Sequence, residues 1–342
     1  MINPYANVNW ETDLHIPGCS HEHCTSQAQF DILMQSSGLL HVALSNYYPS
    51  TPYYPLTDHF TVPTGVIGSP NAEHHSFTSL KVTHTGSLHL NGLGSTFSSG
   101  SPKGQEPVGC DHALCEEIVQ DIFDDLLYAD AGGVTINHPT WSSLTVDEIC
   151  YLLDLDQRML GVEIYNDTCM RGNAQGEHAN PDDMASNIEK WDGALITGRR
   201  CWGFAVADHY GYISADWRGR NILLVDELDE HKCLKAYRDG RFYAKLKNTA
   251  LCFNSISFDG ETVTVSAEDA DTISFVVDGN KNDVQGNTAS WSITNRNTYI
   301  RIEAEGLDDH IWSNPIMLKS KEQKDKERKQ EELIKKASMI LF

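Results

Sequence analysis

The first 150 residues of this 342-residue chain have almost no basic side chains. Their lysines are Lys81 and Lys103, and they contain no arginine. Residues 319–342 hold 8 basic and 5 acidic side chains, whereas the rest of the chain holds 18 basic and 43 acidic ones. A surface this negative repels a polyphosphate backbone, so we expect no binding of extended nucleic acid. An anion bound by the first half needs another source of positive charge, which a metal cluster would supply.

Several features of other protein classes are also missing. No apolar run approaches the length that spans a bilayer, and the N-terminus lacks a secretory signal, which predicts a cytoplasmic protein with no membrane contact. The nine cysteines include no Cys-x-x-Cys pair, which favours reduced thiols over a zinc finger. No Gly-Lys-Ser/Thr, Gly-x-Ser-x-Gly or post-strand Gly-x-Gly-x-x-Gly is present, which excludes P-loop, nucleophile-elbow and Rossmann chemistry.

Short apolar runs and helical stretches alternate along the chain to about residue 220. Residues 38–45, 133–137, 159–165 and 201–207 are predicted as buried strands, and stretches with helical periodicity separate them. This alternation predicts a mainly parallel sheet with helices outside it, open or closed into a barrel.

The pattern changes near residue 248. Residues 248–318 alternate apolar and polar side chains between Asp-Gly turns, which predicts a small antiparallel β domain. We therefore predict a metal-binding domain over 1–220, a helical connection over 221–247, the β domain over 248–318 and a charged helical tail over 319–342.

Histidine is concentrated where basic residues are missing, with eleven of fifteen before residue 140. Histidines and carboxylates recur at or near the ends of predicted strands: His15, Glu73, His89, His138, Asp208 and His209. In a barrel, side chains at strand ends converge at one mouth. Imidazoles and carboxylates suit Zn²⁺, Mn²⁺ or Fe²⁺, so these residues are candidates for a metal cluster.

The order of these residues resembles a known family. The segments "DLHIP", "NHP", "GVEIYN" and "ADHYG", with Glu73 and His89 between the first two, resemble the motifs of the PHP superfamily (polymerase and histidinol phosphatase) over about residues 8–220. The resemblance implies a distorted (β/α)7 TIM-like barrel around a cluster of up to three metal ions. The β domain behind it resembles that of a two-domain subgroup of predicted phosphoesterases.

The resemblance also implies a set of ligands. One divalent ion would take His15, Glu73 and Asp208, and a second would take Glu73, His89 and His138. Glu163 and Asn166 of "GVEIYN" are expected either to orient these ligands or to have a purely structural role.

Three residues depart from the family pattern. Pro17 stands where D-L-H-x-H has its second imidazole, and Tyr47 and Tyr210 stand where the family has further histidines. Two interpretations stay open: the first metal site is eroded, or the first loop has shifted to offer His21 or His23 instead. We expect one or two strongly bound ions rather than three.

The mechanism implied by the resemblance is hydrolysis of a small-molecule phosphate ester by a hydroxide that bridges two metal ions. His209 or His23 would protonate the leaving oxygen. Two other classes stay open, because a fold does not determine a reaction. One is a catalytically degenerate binding protein, and the other is a metal-dependent hydrolase of a non-phosphate substrate.

Overall fold

The computed structural model describes residues 1–46, 52–76, 79, 81, 88–98, 114–172, 176, 179–209, 212, 213 and 216–340. Tyr47 and Tyr210, two of the departures from the family pattern, lie outside these residues. Within the described residues the chain is a mixed α/β protein with seven α-helices, which confirms the predicted class.

The strands are β1 (Leu14–Cys19), β2 (His41–Val42), β3 (Ile67–Gly68), β4 (Glu73–Ser76), β5 (Leu88–Leu93), β6 (Gly133–Ile136), β7 (Met159–Asn166), β8 (Trp202–Val206), β9 (Arg220–Val225), β10 (Phe242–Lys245), β11 (Cys252–Phe258), β12 (Thr262–Glu268), β13 (Thr272–Val277), β14 (Asn280–Gln285), β15 (Thr288–Ser292), β16 (Tyr299–Gly306), β17 (Asp309–Ser313) and β18 (Ile316–Met317). The helices are α1 (Gln27–Ser37), α2 (Cys115–Asp124), α3 (Val146–Leu153), α4 (Asp167–Arg171), α5 (Asp183–Leu195), α6 (Glu230–Asp239) and α7 (Lys321–Ile340).

The larger sheet has ten strands and joins the first part of the chain to its C-terminal strands. Its order is β14-β13-β16-β17-β10-β9-β1-β2-β3, with β18 paired to β16. Strands β1, β2 and β3 run parallel, whereas β9 and β10 run antiparallel to their neighbours. Pro17 lies within β1, opposite Ile222 of β9.

The second sheet has five strands in the order β4-β5-β6-β7-β8. Strands β6, β7 and β8 are parallel, whereas β4 is antiparallel to β5 and β5 to β6. The predicted closed barrel is not found among the described residues, because β3 does not pair with β4 and β8 does not pair with β9. Strands β2 and β3 have two residues each, so their ladders are short.

Helices α2, α3 and α5 cover the five-stranded sheet. Ile122 of α2, Leu152 of α3 and Trp191 of α5 are buried in one cluster with Val162 of β7. Apolar residues that recur at helical spacing give each helix one such face, and a buried side chain of this size contributes about 1.5–3 kcal/mol. This packing leaves the carboxyl ends of β6, β7 and β8 at one edge of the sheet.

The C-terminal strands reach the first part of the chain through the pairing of β17 with β10. Phe253 and Ile302 are buried in the same cluster as Ile222 of β9 and Tyr243 of β10. The range 221–247, predicted as a helical connection, contains most of strand β9, helix α6 and strand β10. The predicted charged tail contains α7.

Deleting residues 248–342 is expected to give an aggregating fragment. The deletion removes β17, so the edge of β10 loses its partner, and Tyr243 and Ile222 lose their apolar neighbours. Size-exclusion chromatography would measure this, with a truncation after residue 320 as the control that removes only α7. A monodisperse 1–247 fragment would contradict the expectation.

His41 is expected to make the fold sensitive to acid. Its buried imidazole has Nε2 2.9 Å from Ser69 Oγ, and burial lowers its pKa from 6.5 to about 3. Between these values the unfolded chain binds a proton that the folded chain does not, so the free energy of unfolding should fall as pH falls below 6.5, by about 1.4 kcal/mol per pH unit.

Urea denaturation at several pH values, with a chelator present throughout, measures this slope. In His41→Leu the slope should lose the contribution of one proton. An unchanged slope would show that His41 titrates normally in the folded chain.

In the part of the chain that the structure describes, no helix combines the length and the apolar character that crossing a bilayer requires.

Candidate metal centre

Histidines and carboxylates from six strands meet in one buried cluster. Two follow β1, two lie on β4, one lies on each of β5 and β7, and one follows each of β6 and β8. In that order they are His21 and His23, Glu73 and His75, His89, Glu163, His138 and Asp208. Burying so many ionisable groups is unfavourable unless charges of opposite sign compensate one another.

Four residues form a first group with the donor set of a metal site. His21 Nε2 lies 3.0 Å from both Glu73 Oε2 and Asp208 Oδ1. His23 Nε2 lies 3.1 Å from the same Asp208 oxygen and 3.3 Å from the same Glu73 oxygen. These four ligand atoms all lie within 4.8 Å of one another.

A second group uses the other oxygen of Glu73. Glu73 Oε1 lies 2.7 Å from His89 Nδ1 and 3.4 Å from His75 Nε2. The rings of His75 and His89 stack with their centroids 3.5 Å apart. The two groups therefore share Glu73 through different oxygens, as a carboxylate that bridges two cations does.

The hydrogen bonds of His21 suggest which of its ring nitrogens can bind a cation. His21 Nδ1 lies 2.6 Å from Glu163 Oε1 and donates to that carboxylate. In the neutral ring this leaves a lone pair on Nε2, which lies between Glu73 Oε2 and Asp208 Oδ1. A lone pair and two carboxylate oxygens repel one another unless a proton or a metal ion lies among them.

The carboxylates of the first group raise the pKa values of both of its histidines. Burial lowers the pKa of His23, but its hydrogen bonds to Asp208 and Glu73 outweigh burial and raise it to about 9. For His21, burial is likewise outweighed by Asp208, Glu73 and Glu163, which raise its pKa well above the usual range. Burial alone would raise the pKa of Glu73, but His21 and His23 hold it well below the usual range.

In the second group, the pKa of His89 shifts in the opposite direction. Burial lowers the pKa of His89, so its ring is neutral at pH 7. Glu73 Oε1 and His89 Nδ1 are buried 2.7 Å apart, within ion-pair distance but without hydrogen-bond geometry among the described residues. No lysine or arginine of the described residues pairs with Glu73, Glu163 or Asp208. A buried nitrogen and a buried oxygen that face each other without a hydrogen bond fit a divalent ion bound by both.

Glu163 and Asn166 make hydrogen bonds that orient other residues of the cluster. Besides His21, Glu163 accepts a 2.7 Å hydrogen bond from the backbone N–H of His138. Asn166 Nδ2 donates to Glu163 Oε2 at 3.0 Å and to Asp208 Oδ2 at 2.9 Å. His138 and Asp208 both have left-handed backbones, with φ of 24° and 53°. Strained backbone of this kind occurs often at functional sites.

His138 lies beside the second group. Its ring centroid is 4.8 Å from that of His89, and its Nδ1 lies 3.2 Å from Ser142 Oγ. Burial and the neighbouring His89 lower its pKa to about 4, so it is neutral at pH 7. Of the residues predicted to bind metal, the structure brings Glu73, His89, His138 and Asp208 together.

The structure does not bring His15 into the cluster. His15 lies near the start of β1, whereas His21 and His23 follow its carboxyl end, and six extended residues span about 20 Å. His15 is half-buried, with Nδ1 3.4 Å from the hydroxyl of Tyr243 and its ring beside Trp10. Two interpretations were left open for Pro17. The structure agrees with the second, in which the first loop offers His21 and His23 in place of the missing imidazole.

His209 also lies outside both groups. Its Nε2 is 3.0 Å from Asp167 Oδ2 and its Nδ1 is 3.2 Å from Glu22 Oε2. Burial is outweighed by Glu22 and Asp167, which raise the pKa of His209 to about 10. His209 is thus a buried cation between two carboxylates, one within ion-pair distance of each of its ring nitrogens. His23, the other predicted proton donor, lies among the ligands of the first group.

One residue of the cluster, His75, is not among those predicted from the sequence. The signal was present, because side chains two apart in a strand share a face and His75 follows Glu73 by two residues. The same spacing relates His21 to His23.

A third group of possible ligands lies in the C-terminal strands, where basic side chains already pair with its carboxylates. Glu303, Glu305 and His310 lie close together, but Lys281 Nζ is 3.0 Å from Glu303 Oε2 and Arg301 pairs with the other oxygen. Two resident cations therefore compete with a metal ion for these carboxylates.

Comparisons with known proteins add little to this geometry. No protein-family model matches the chain, and no curated protein matches it in sequence. A solved structure from Bacteroides vulgatus, described as a two-domain protein containing a predicted PHP-like metal-dependent phosphoesterase, is similar at 10% identity and a TM-score of 0.43, over 93% of this chain and 98% of that one. A TM-score this low does not establish a shared fold, so any function for this chain has to rest on its own residues.

Proposed function

We propose that this chain is a metal-dependent phosphoesterase that hydrolyses small phosphate esters at a centre of two divalent ions bridged by Glu73. The observation that carries the proposal is the division of one buried cluster into two ligand groups that share this carboxylate. Paired ions about 3.5–4 Å apart are typical of enzymes that hydrolyse phosphate esters.

The first ion would be held by His21, His23, Glu73 and Asp208, and the second by Glu73, His75 and His89, with His138 beside it. We assign the chain to the PHP superfamily on the order of these residues, with His21-Glu22-His23 as the His-x-His motif in place of the segment at His15. In this assignment Pro17 is a strand residue that precedes the motif.

Bound divalent ions would supply Lewis acidity toward phosphate oxygens and a water that ionises near neutral pH. The chain's own contribution is to fix the ligands. Glu163 keeps the hydrogen of His21 on Nδ1, so Nε2 remains available, and Asn166 orients Asp208. Because no lysine or arginine of the described residues pairs with the cluster carboxylates, a divalent ion has no competing lysine or arginine there.

Metal analysis combined with a substrate panel tests the proposal. The purified protein is expected to bind about two divalent ions per chain and to hydrolyse at least one ester from a panel of phosphomonoesters and cyclic phosphodiesters. EDTA should abolish hydrolysis, and Mn²⁺ or Zn²⁺ should restore it. Tight metal binding with no hydrolysis of any phosphate ester would contradict the proposal in favour of a binding protein. Hydrolysis of carboxylic esters or amides alone would identify a different hydrolase.

A further inference from the structure

An exposed tryptophan lies at the edge of the buried cluster. The ring centroid of Trp141 is 5.1 Å from that of His89 and 4.9 Å from that of His138. Trp141 is 42% exposed, whereas both histidines are buried. One side of the indole thus rests on the cluster while a large part of it stays open to solvent.

The loop that carries Trp141 is held on both sides of it. Ser142 N and Leu144 N donate to the backbone oxygens of His138 and Pro139, at 3.0 and 2.9 Å. Thr140 N donates to Asn187 Oδ1 of α5 at 2.9 Å. The hydrophobic effect favours burying an indole, so its exposure on a loop fixed this firmly is not explained by packing.

We propose that Trp141 is a specificity-determining residue on which a planar aromatic group of the substrate stacks while its phosphate occupies the metal centre. The inference rests on the function proposed above for the centre. Arg171, the arginine nearest along the chain to Asn166, already pairs with Asp167 and Asp216, so it offers no free charge for affinity toward the rest of the substrate. Stacking on an indole supplies such affinity and needs no charge.

Two kinds of substrate share this chemistry, aryl phosphates and nucleoside monophosphates. Benzylphosphonate and cyclohexylmethylphosphonate form a non-hydrolysable pair of similar size that differs in whether the ring is planar and aromatic. The methylenephosphonate analogues of adenosine 5′-monophosphate and ribose 5-phosphate form a second non-hydrolysable pair that differs in the base. An effect confined to the second pair would identify a nucleobase as the stacking group, and an effect in both pairs would identify any aromatic ring.

Calorimetric titration of the metal-loaded protein with both pairs tests the inference. In Trp141→Ala, the aromatic member of at least one pair is expected to bind about 3- to 30-fold more weakly, while its non-aromatic partner changes less than about twofold. Trp141→Phe should keep most of the difference, because it keeps a π face. Leu333→Ala, at an exposed apolar residue of α7, is the matched control and should change neither pair.

Equal losses for both members of each pair, or no loss in Trp141→Ala, would overturn the inference. Both variants should keep the metal content of the wild type, because Trp141 is not among the proposed ligands. Hydrolysis of benzyl phosphate and adenosine 5′-monophosphate is measured separately. Selective binding that depends on Trp141 without any hydrolysis would remove the proposed phosphoesterase function but leave the aromatic platform, so the two failures are distinguishable.

Discussion

Replacing Glu73 with Gln is expected to empty both metal positions. Glu73 Oε2 lies among the ligands of the first group and Oε1 among those of the second. The amide is neutral and has a single oxygen, so it cannot serve two cations, and its NH₂ group would be directed at one of them. Elemental analysis should find metal content falling from about two ions per chain to almost none.

Hydrolysis by Glu73→Gln should fall by more than about 100-fold. Substituting a residue that only hydrogen-bonds to a metal ligand lowers activity by up to about 100-fold, and losing a ligand should lower it further. Glu305→Gln, in the C-terminal strands, is the matched carboxylate-to-amide control and should keep both ions. Retention of two ions in Glu73→Gln would contradict a bridging role, and loss of one ion would assign Glu73 to a single site.

Asp208→Asn is expected to remove one ion and leave the other. Asp208 Oδ1 touches His21 and His23 but is not among the atoms of the second group. Asparagine suits this position because it tolerates the left-handed backbone of Asp208, where φ is 53°. The substitution therefore removes charge with little change in shape.

Metal content in Asp208→Asn should be about one ion per chain, with hydrolysis reduced by more than about 100-fold. The free energy of unfolding, measured with chelator present, separates loss of metal from loss of structure. If both ions are lost together while the fold is intact, the two groups bind as one site.

Much of the cluster could be predicted because its chemistry shows in short motifs. The order of Glu73, His89, His138 and Asp208 along the chain is sufficient to predict these residues as candidate ligands. Glu163 and Asn166 were expected either to orient the ligands or to have a structural role, and the structure has them in contact with His21, His138 and Asp208.

The first motif could not be located from the sequence alone. Two His-bearing segments follow one another, at His15 and at His21 and His23, and periodicity does not tell which one lies beyond the carboxyl end of a strand. The sequence pattern predicts that Pro17 stands in the place of a missing imidazole, whereas it lies within β1 and the His-x-His pair comes after it. Only the end of β1 at Cys19 distinguishes the two segments.

Whether the sheet closes into a barrel could not be predicted from the sequence, for a different reason. Apolar runs predict strands, but pairing at sheet edges depends on strand direction and length. The antiparallel β4 and β5, and the two-residue strands β2 and β3, are not visible in an alternation of strands and helices. The pairing of β17 with β10 likewise joins segments that are far apart in the chain.

Anomalous diffraction from crystals loaded with Mn²⁺ or Zn²⁺ is the most direct measurement of a two-ion centre bridged by Glu73. The expected result is two peaks about 3.5–4 Å apart, each about 2.0–2.2 Å from a different oxygen of Glu73. One peak should lie beside His21, His23 and Asp208, and the other beside His75 and His89. A single peak, or two peaks of which either lies away from Glu73, would contradict the bridged centre.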